Sequence, residues 1–330
     1  MVNNPELIRE LLPDKVKKSF DDIVNQVVLG ASNHIRMIGD MIQAIALEGQ
    51  EKSEDVMTIV NKIKEVSKYF IATRGEASQA ISNAIYIMIE GINDYTSTDD
   101  VNYVVNKIIE KKDSYNKKSK ANIEKVVEYS VKVAKDMENI FVYDYSSTVE
   151  KFLRALVSNN KKYTIYIAES RVIDGGYPFV KACEEAGHNI KFIPDSAIMY
   201  NLVKCDAAFM GAETFFADGT GFNTTGSDIV GLVCHTYNIP LYFLTPMIKL
   251  DTRPIYGGTK NIVFNDLKKK LSSNWSEDIN VENIDFVTPE LIGVNPDHIR
   301  AFITELGVIP SKQLYNISLD YSKSMKEGLE

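Results

Sequence analysis

The chain has 330 residues, 45% apolar and 25% charged, with a formal net charge of −8. That length supports one large domain or two modest ones, and the balance excludes a chain disordered throughout. The acidic total also argues against a general nucleic-acid binder, which needs a basic face to displace counterions from phosphates, so no direct nucleic-acid binding is expected.

The first 138 residues read as helices. Apolar residues recur at three- and four-residue spacing: Ile23, Val27 and Val28, then Ile38, Ile42, Ile45 and Ala46, then Ile81, Ile85, Met88 and Ile89. The pattern runs on through Val101, Val104, Val105, Ile108 and Ile109 to Val126, Val127, Val131 and Ala134. The only prolines here, Pro5 and Pro13, stand near the start. We expect five or six helices. The lysine-rich stretch 107–135 is interleaved with Glu110, Asp113, Glu124 and Glu128 and reads as a solvated helical face.

From Asn139 short apolar runs alternate with amphipathic stretches. IFVYDY, YTIYIAE, IKFIP, AAFMG and PLYFLTP read as strands. TVEKFLRALVSN, FVKACEEAG, SAIMYNLVK and SDIVGLVCHTYN read as the helices between them, the last with Ser227 as its N-cap. This alternation predicts an α/β fold: a helical N-terminal domain over 1–138 and a Rossmann-like, doubly wound parallel sheet over 139–330. Ligands of such sheets bind outside the carboxyl ends of the strands, at the switch point.

Cys183, Cys205 and Cys234 are an odd, sparse set without a Cys-x-x-Cys pair, which suits a reducing compartment. The N-terminal MVNNPELIRELLPDK lacks the apolar core of a secretory signal, and IVGLVC and IPLYFLTPMI are too short to span a bilayer. A cytoplasmic protein without a membrane role is expected. His34, His188, His235 and His298 show no zinc-binding spacing. There is no Gly-x-Ser-x-Gly elbow and no Walker A loop. DGTGFNTTG fails the dinucleotide fingerprint in spacing and position.

The segment Asn223, Thr224, Thr225, Gly226, Ser227 can present N–H groups and hydroxyls to a phosphate at a helix N-terminus, and it equally fits a loop with a capping serine. Arg74, placed just before a helix, and Arg171, after a strand, read as phosphate ligands or as surface ion pairs. Asp144 and Glu213 stand at strand ends. They suit a general acid–base pair whose pKa values are pushed apart, or two helix-capping carboxylates.

AESR (168–171), PDSAIMY (194–200), CDAAFMGAETFFADG (205–219), FNTTGSDIVGLVCHTYNIPLYFLTP (222–246) and KLD (249–251) carry a resemblance. So do VTPELI (287–292) and ITELGVIP (303–310), and more loosely LGASNHI (29–35) and TRGEASQAISNAI (73–85). Together they make the chain similar to the translation initiation factor 2B α/β/δ family, which includes ribose-1,5-bisphosphate isomerase and 5-methylthioribose-1-phosphate isomerase. The resemblance implies a helical domain, a Rossmann-like domain carrying most of the ligand crevice and the oligomer interface, and dimers or hexamers built from dimers.

It also implies an aldose–ketose isomerisation of a sugar 1-phosphate without metal or redox cofactor. A cysteine and an aspartate carry the protons in the isomerases; their positions are Asp144 and Glu213 here. Contacts to a phosphorylated sugar or nucleotide are implied at Gly30, Ala31, Arg74, Ser146, Arg171, Asn223, Thr224 and Lys249. Thr224 stands where the family has lysine, Gly75 where it has proline, and Leu29 where the glycine loop has arginine. The regulatory α subunit of initiation factor 2B likewise has Glu at the second position and lacks the cysteine. The sequence therefore leans to a sugar-phosphate isomerase. The alternative is a non-catalytic regulatory or assembly subunit with a translation-factor partner.

Overall fold

The computed structural model describes residues 4–25, 27–28, 30–75, 78–276 and 278–326. Leu29 lies outside them. Six helices open the chain: α1 (Pro5–Glu10), α2 (Asp14–Val24), α3 (Ala31–Glu51), α4 (Val56–Thr73), α5 (Gln79–Met88) and α6 (Val101–Val133). Then follow β1 (Asn139–Tyr143), α7 (Ser147–Ala155), β2 (Thr164–Ala168), α8 (Pro178–Glu185), β3 (Asn189–Ile193), α9 (Ile198–Leu202) and β4 (Ala207–Gly211). After these come β5 (Thr214–Phe216), β6 (Gly221–Thr224), α10 (Ser227–Thr236), β7 (Leu241–Leu244) and β8 (Leu250–Asp251). The chain closes with β9 (Phe264–Asp266), α11 (Lys268–Leu271), β10 (Val287–Pro289), β11 (Leu291–Val294), β12 (Ala301–Thr304), β13 (Gly307–Pro310) and α12 (Leu314–Lys326). Among the described residues no helix is long and apolar enough to cross a membrane.

The chain divides into two compact units. The first comprises Met1–Ala121, Ile248–Asp251 and Ser318–Glu330. Two of its helices, α1 and α4, start at polar caps. The Asn4 side chain accepts from Glu6 N at 3.0 Å, and Asp55 accepts from Thr58 N at 3.0 Å. One face of α3, Ile38, Met41, Ile42 and Ile45, is buried, as the helical period requires. Phe20 packs edge-on against Phe70 with ring centroids 5.6 Å apart. Asn83 on α5 donates its amide to the carbonyls of Ile248 (2.9 Å) and Leu250 (3.0 Å), which pins the backbone on either side of Lys249.

The second unit comprises Asn122–Met247 and Thr252–Ile317. Its main sheet has the order β13-β12-β7-β4-β1-β2-β3. All neighbours pair parallel except the β12–β13 hairpin. β1 and β4 are buried almost end to end, because helices cover both faces of a parallel sheet. The strand order runs outward from β1 in both directions, first through β2 and β3, then through β4, β7 and β12. The switch point therefore lies between β1 and β4.

β5, β6 and β11 pair antiparallel, and β9 and β10 form a separate two-stranded antiparallel sheet. The periodicity over this region leaves both unannounced, because these strands are three or four residues long. Asn223 and Thr224, expected in a loop, belong to β6.

Candidate active site

β1 ends at Tyr143, and Asp144 turns the chain with φ +58°. Aspartate tolerates this left-handed conformation better than most side chains. Ser146 then caps α7, accepting from Val149 N at 3.5 Å. The next crest, after β2, also turns through left-handed residues, Ser170 (φ +50°) and Asp174 (φ +55°). Asp195 holds it in place, accepting from Ser170 N at 2.9 Å and Arg171 N at 2.8 Å. Lys270 on α11 holds its far side, donating to Val172 O at 3.0 Å and pairing with Asp174 at 2.8 Å. Three left-handed non-glycine residues on two adjacent crests mark a strained, over-determined region of the kind found at functional sites.

Asp144 is the centre of this arrangement. It is 3% exposed. The Ser170 hydroxyl donates to Oδ1 at 3.2 Å and the Thr224 hydroxyl to Oδ2 at 2.8 Å. Gly175 closes over it: a Cβ at that position would lie 2.0 Å from Oδ1. Burial pushes the Asp144 carboxyl up to about 6. The Thr224 hydroxyl, the Tyr145 amide and the Ser170 hydroxyl pull it back, and the charge of Glu213 pushes it further up. Glu213 sits two residues past β4, half-buried, its own N–H bonded to Phe222 O at 2.9 Å. Asp144 and Glu213 thus flank the switch point.

The β6–α10 turn behaves differently from a simple cradle. Gly226, with φ +104°, is the N-cap of α10, not Ser227. A Cβ at Gly226 would meet the Tyr143 hydroxyl at 2.1 Å, and that hydroxyl donates to Thr225 O at 2.8 Å. Two main-chain donors of the turn are already used: Thr225 N bonds Glu290 O at 3.1 Å, and Gly226 N bonds the Asp228 carboxylate at 3.2 Å. In this turn the buried Asn223 Nδ2 and Ser227 Oγ have no hydrogen-bond partner among the described residues. Leaving such groups unpaired costs about 1–3 kcal/mol each.

The remaining sequence candidates fall as follows. Arg171 is exposed and pairs with Asp174 at 3.8 Å. Gly30, Ala31, Arg74 and Lys249 belong to the first unit. Gly30 is the N-cap of α3 and Ala31 its first residue. Arg74 does not open a helix. It is the C-cap of α4, and its Nη2 donates to the carbonyls of Ile23 (2.6 Å) and Val24 (2.8 Å) at the end of α2. A cation there complements the exposed carbonyls of a helix C-terminus.

Sequence reasoning missed roles for Ser170, Asp195 and Gly175. Ser170 and Asp195 lie inside AESR and PDSAIMY, and the Gly-Gly pair after Asp174 is a visible sign of close backbone approach.

All three cysteines are free and buried, and burial pushes each thiol up to about 12. The thiolate fraction at neutral pH is then on the order of one part in 10⁵. We expect no modification of the native protein by a thiol-reactive disulfide reagent within minutes, and three equivalents after denaturation. Rapid labelling of any one thiol in the folded state would contradict this burial. Among the described residues no three His, Cys, Asp or Glu side chains converge as metal ligands.

The fold is that of a Rossmann-type protein with Asp144 and Glu213 following the two strands that flank its switch point. The chain belongs to the initiation factor 2 subunit family, which it matches over residues 28–311. It is 23% identical over 318 residues to ribose 1,5-bisphosphate isomerase of Methanocaldococcus jannaschii, covering 93% of this chain and 96% of that protein. It is 22% identical over 304 residues to translation initiation factor eIF2B subunit alpha of Dictyostelium discoideum, covering 90% and 93%. The same fold is seen in the 5-methylthioribose 1-phosphate isomerase of Pyrococcus horikoshii OT3, with a TM-score of 0.72 and 17% identity over 95% of this chain and 92% of that one.

Proposed function

We propose that this chain binds a phosphorylated sugar and interconverts its aldose and ketose forms, in the manner named for the ribose 1,5-bisphosphate isomerases it is similar to. The observation that carries this reading is the buried Asp144 carboxyl beside Glu213, a titratable pair at the crest where α/β sheets bind ligands. The orphaned Asn223 Nδ2 and Ser227 Oγ support it, since a ligand oxygen would satisfy both.

The proton balance needs only two carboxyl groups. Protonated Asp144 gives its proton to the ring oxygen as the C1–O bond opens. Glu213 takes the proton from C2, leaving an enol. Glu213 returns that proton to C1, while Asp144 takes the O2 proton as the C2 carbonyl forms. Both groups end as they began. We assign the phosphate contacts within the second unit to Ser146, Arg171 and Asn223. We further propose a cytoplasmic homo-oligomer, a dimer or a hexamer built from dimers, which light scattering would measure.

Turnover of ribose 1,5-bisphosphate, with sugar 1-phosphates as a comparison panel, tests the reading. We expect Glu213→Gln to lower kcat by ~100-fold with little change in stability, because that side chain is only half-buried. Binding without turnover of any of them would overturn the enzyme reading.

A second reading, a regulatory or assembly subunit that senses the same ligand, is favoured by one observation. Both Asp144 oxygens are already taken by hydroxyls, and the Thr224 hydroxyl that takes one of them stands where the family carries a lysine. Ligand-dependent change in oligomer size, or capture of translation factor 2 subunits, would be its signature.

A further inference from the structure

A second cleft opens at the opposite end of the main sheet from Asp144. It has a volume of about 590 Å³, within the range of roughly 300–1,000 Å³ typical of small-ligand sites. Its position is fixed by Leu241, the first residue of β7, and by Arg300, which directly precedes β12 and donates its N–H to Leu241 O at 2.9 Å. The Asp144 and Glu213 crests stand at the carboxyl ends of β1 and β4, which run parallel to β7 and β12 in the same sheet. The cleft is therefore separate from the proposed active site, and the inference drawn from it does not rest on the sugar-phosphate reading.

The lining chemistry is that of an anion site with an apolar floor. His235 comes from the last turn of α10, where the helix dipole favours a cation. The His298 ring stacks near it, with centroids 4.7 Å apart and 32° between planes. Arg300 forms no ion pair among the described residues. Lys312 pairs with Asp297 at 3.0 Å, but both side chains are largely exposed, so this pair is weak and readily exchanged. Ile239 and Pro240 supply apolar wall. Four groups able to carry positive charge thus meet one carboxylate.

Two imidazoles this close repel each other when both are protonated. An anion between them removes that repulsion and adds charge-assisted hydrogen bonds. We propose that this cleft binds a phosphate-bearing small molecule, with the phosphate held by His235, His298, Arg300 and Lys312. The charge of Asp297 reaches both imidazoles, each imidazole neighbours the other, and Arg300 and Lys312 line the same cleft. Burial, and then the His235 charge, hold the His298 imidazole below its ordinary range, while Asp297 opposes this. Bound phosphate favours the protonated imidazole and raises it.

The test is imidazole NMR of the full chain titrated with inorganic phosphate at constant ionic strength near pH ~6.5. The His235 and His298 resonances should move together and saturate, with an apparent Kd below ~10 mM. His188, buried elsewhere, should stay still and report that the fold is intact. In an Arg300→Ala/Lys312→Ala variant the affinity should fall at least ~10-fold. Absence of a saturable shift, or an unchanged titration in the double variant, would overturn the proposal.

Discussion

Asp144→Asn is expected to abolish isomerase turnover by ~10³–10⁴-fold while leaving the protein as stable as the parent, or more stable, above neutral pH. The two effects have one cause. The carboxyl is raised from 3.8 to about 6 by burial, so the folded state holds its proton more tightly than the unfolded chain does. A raised carboxyl penalises folding only when ionised. Its effect is absent below about pH 4, grows through the interval from about 4 to about 6, and is constant above it.

A displacement of about two units corresponds to roughly 3 kcal/mol. The amide is never charged and escapes this penalty. Asn also tolerates the left-handed backbone at this position and can meet the Ser170 and Thr224 hydroxyls with an acceptor and a donor. Urea unfolding of both proteins at several pH values measures the effect. The stability gap, variant minus parent, should widen with pH between about 4 and 6 and then level. A gap that narrows with pH would mean that the carboxylate is stabilised by its donors more than burial penalises it. Retained turnover in the variant would remove Asp144 from the chemistry.

Gly175→Ala is expected to cost ~2–4 kcal/mol of stability and to displace the Asp144 carboxyl. The added methyl would lie 2.0 Å from Asp144 Oδ1 and 2.9 Å from Tyr145 N, distances no real carbon adopts. The backbone of Gly175 is not left-handed, so the cost is steric and not conformational. Neither side can give easily. The Asp144 carboxyl is held by two hydroxyls. The Ser170–Gly176 loop is held by Asp195 on one flank and Lys270 on the other. A double-mutant cycle with Asp144→Gly isolates the clash, because glycine keeps the left-handed turn and removes the carboxyl. The two substitutions together should cost ~1–2 kcal/mol less than the sum of each alone. Strict additivity would show that the loop does not rest on Asp144.

Much of the fold was legible because its periods are long. Helices α3 and α6 repeat an apolar face over many turns, and the alternation of β1 to β4 with α7 to α9 leaves few topologies. The short strands β5, β6 and β11 escaped, because three or four residues carry no period and their pairing is set by partners distant in sequence. Ser227 read as a cap because serine favours that position, yet Gly226 takes it: a Cβ there would strike Tyr143, a residue more than eighty positions earlier. Arg74 read as a helix opener from its place in the chain, and its true partners are two carbonyls about fifty residues upstream.

The sequence by itself determined the order of the longer elements and the family, since these follow from local pattern and quoted motifs. Only the tertiary structure decided what the strand ends do. Asp144 is pushed up to about 6 because folding removes it from water, and two separate segments converge on it, the loop carrying Ser170 and Gly175 and the strand carrying Thr224. Desolvation and hydrogen bonding act through space, so no spacing along the chain encodes them directly. The acidic excess counted at the outset is thereby resolved at one position, where a carboxylate has been made costly to ionise.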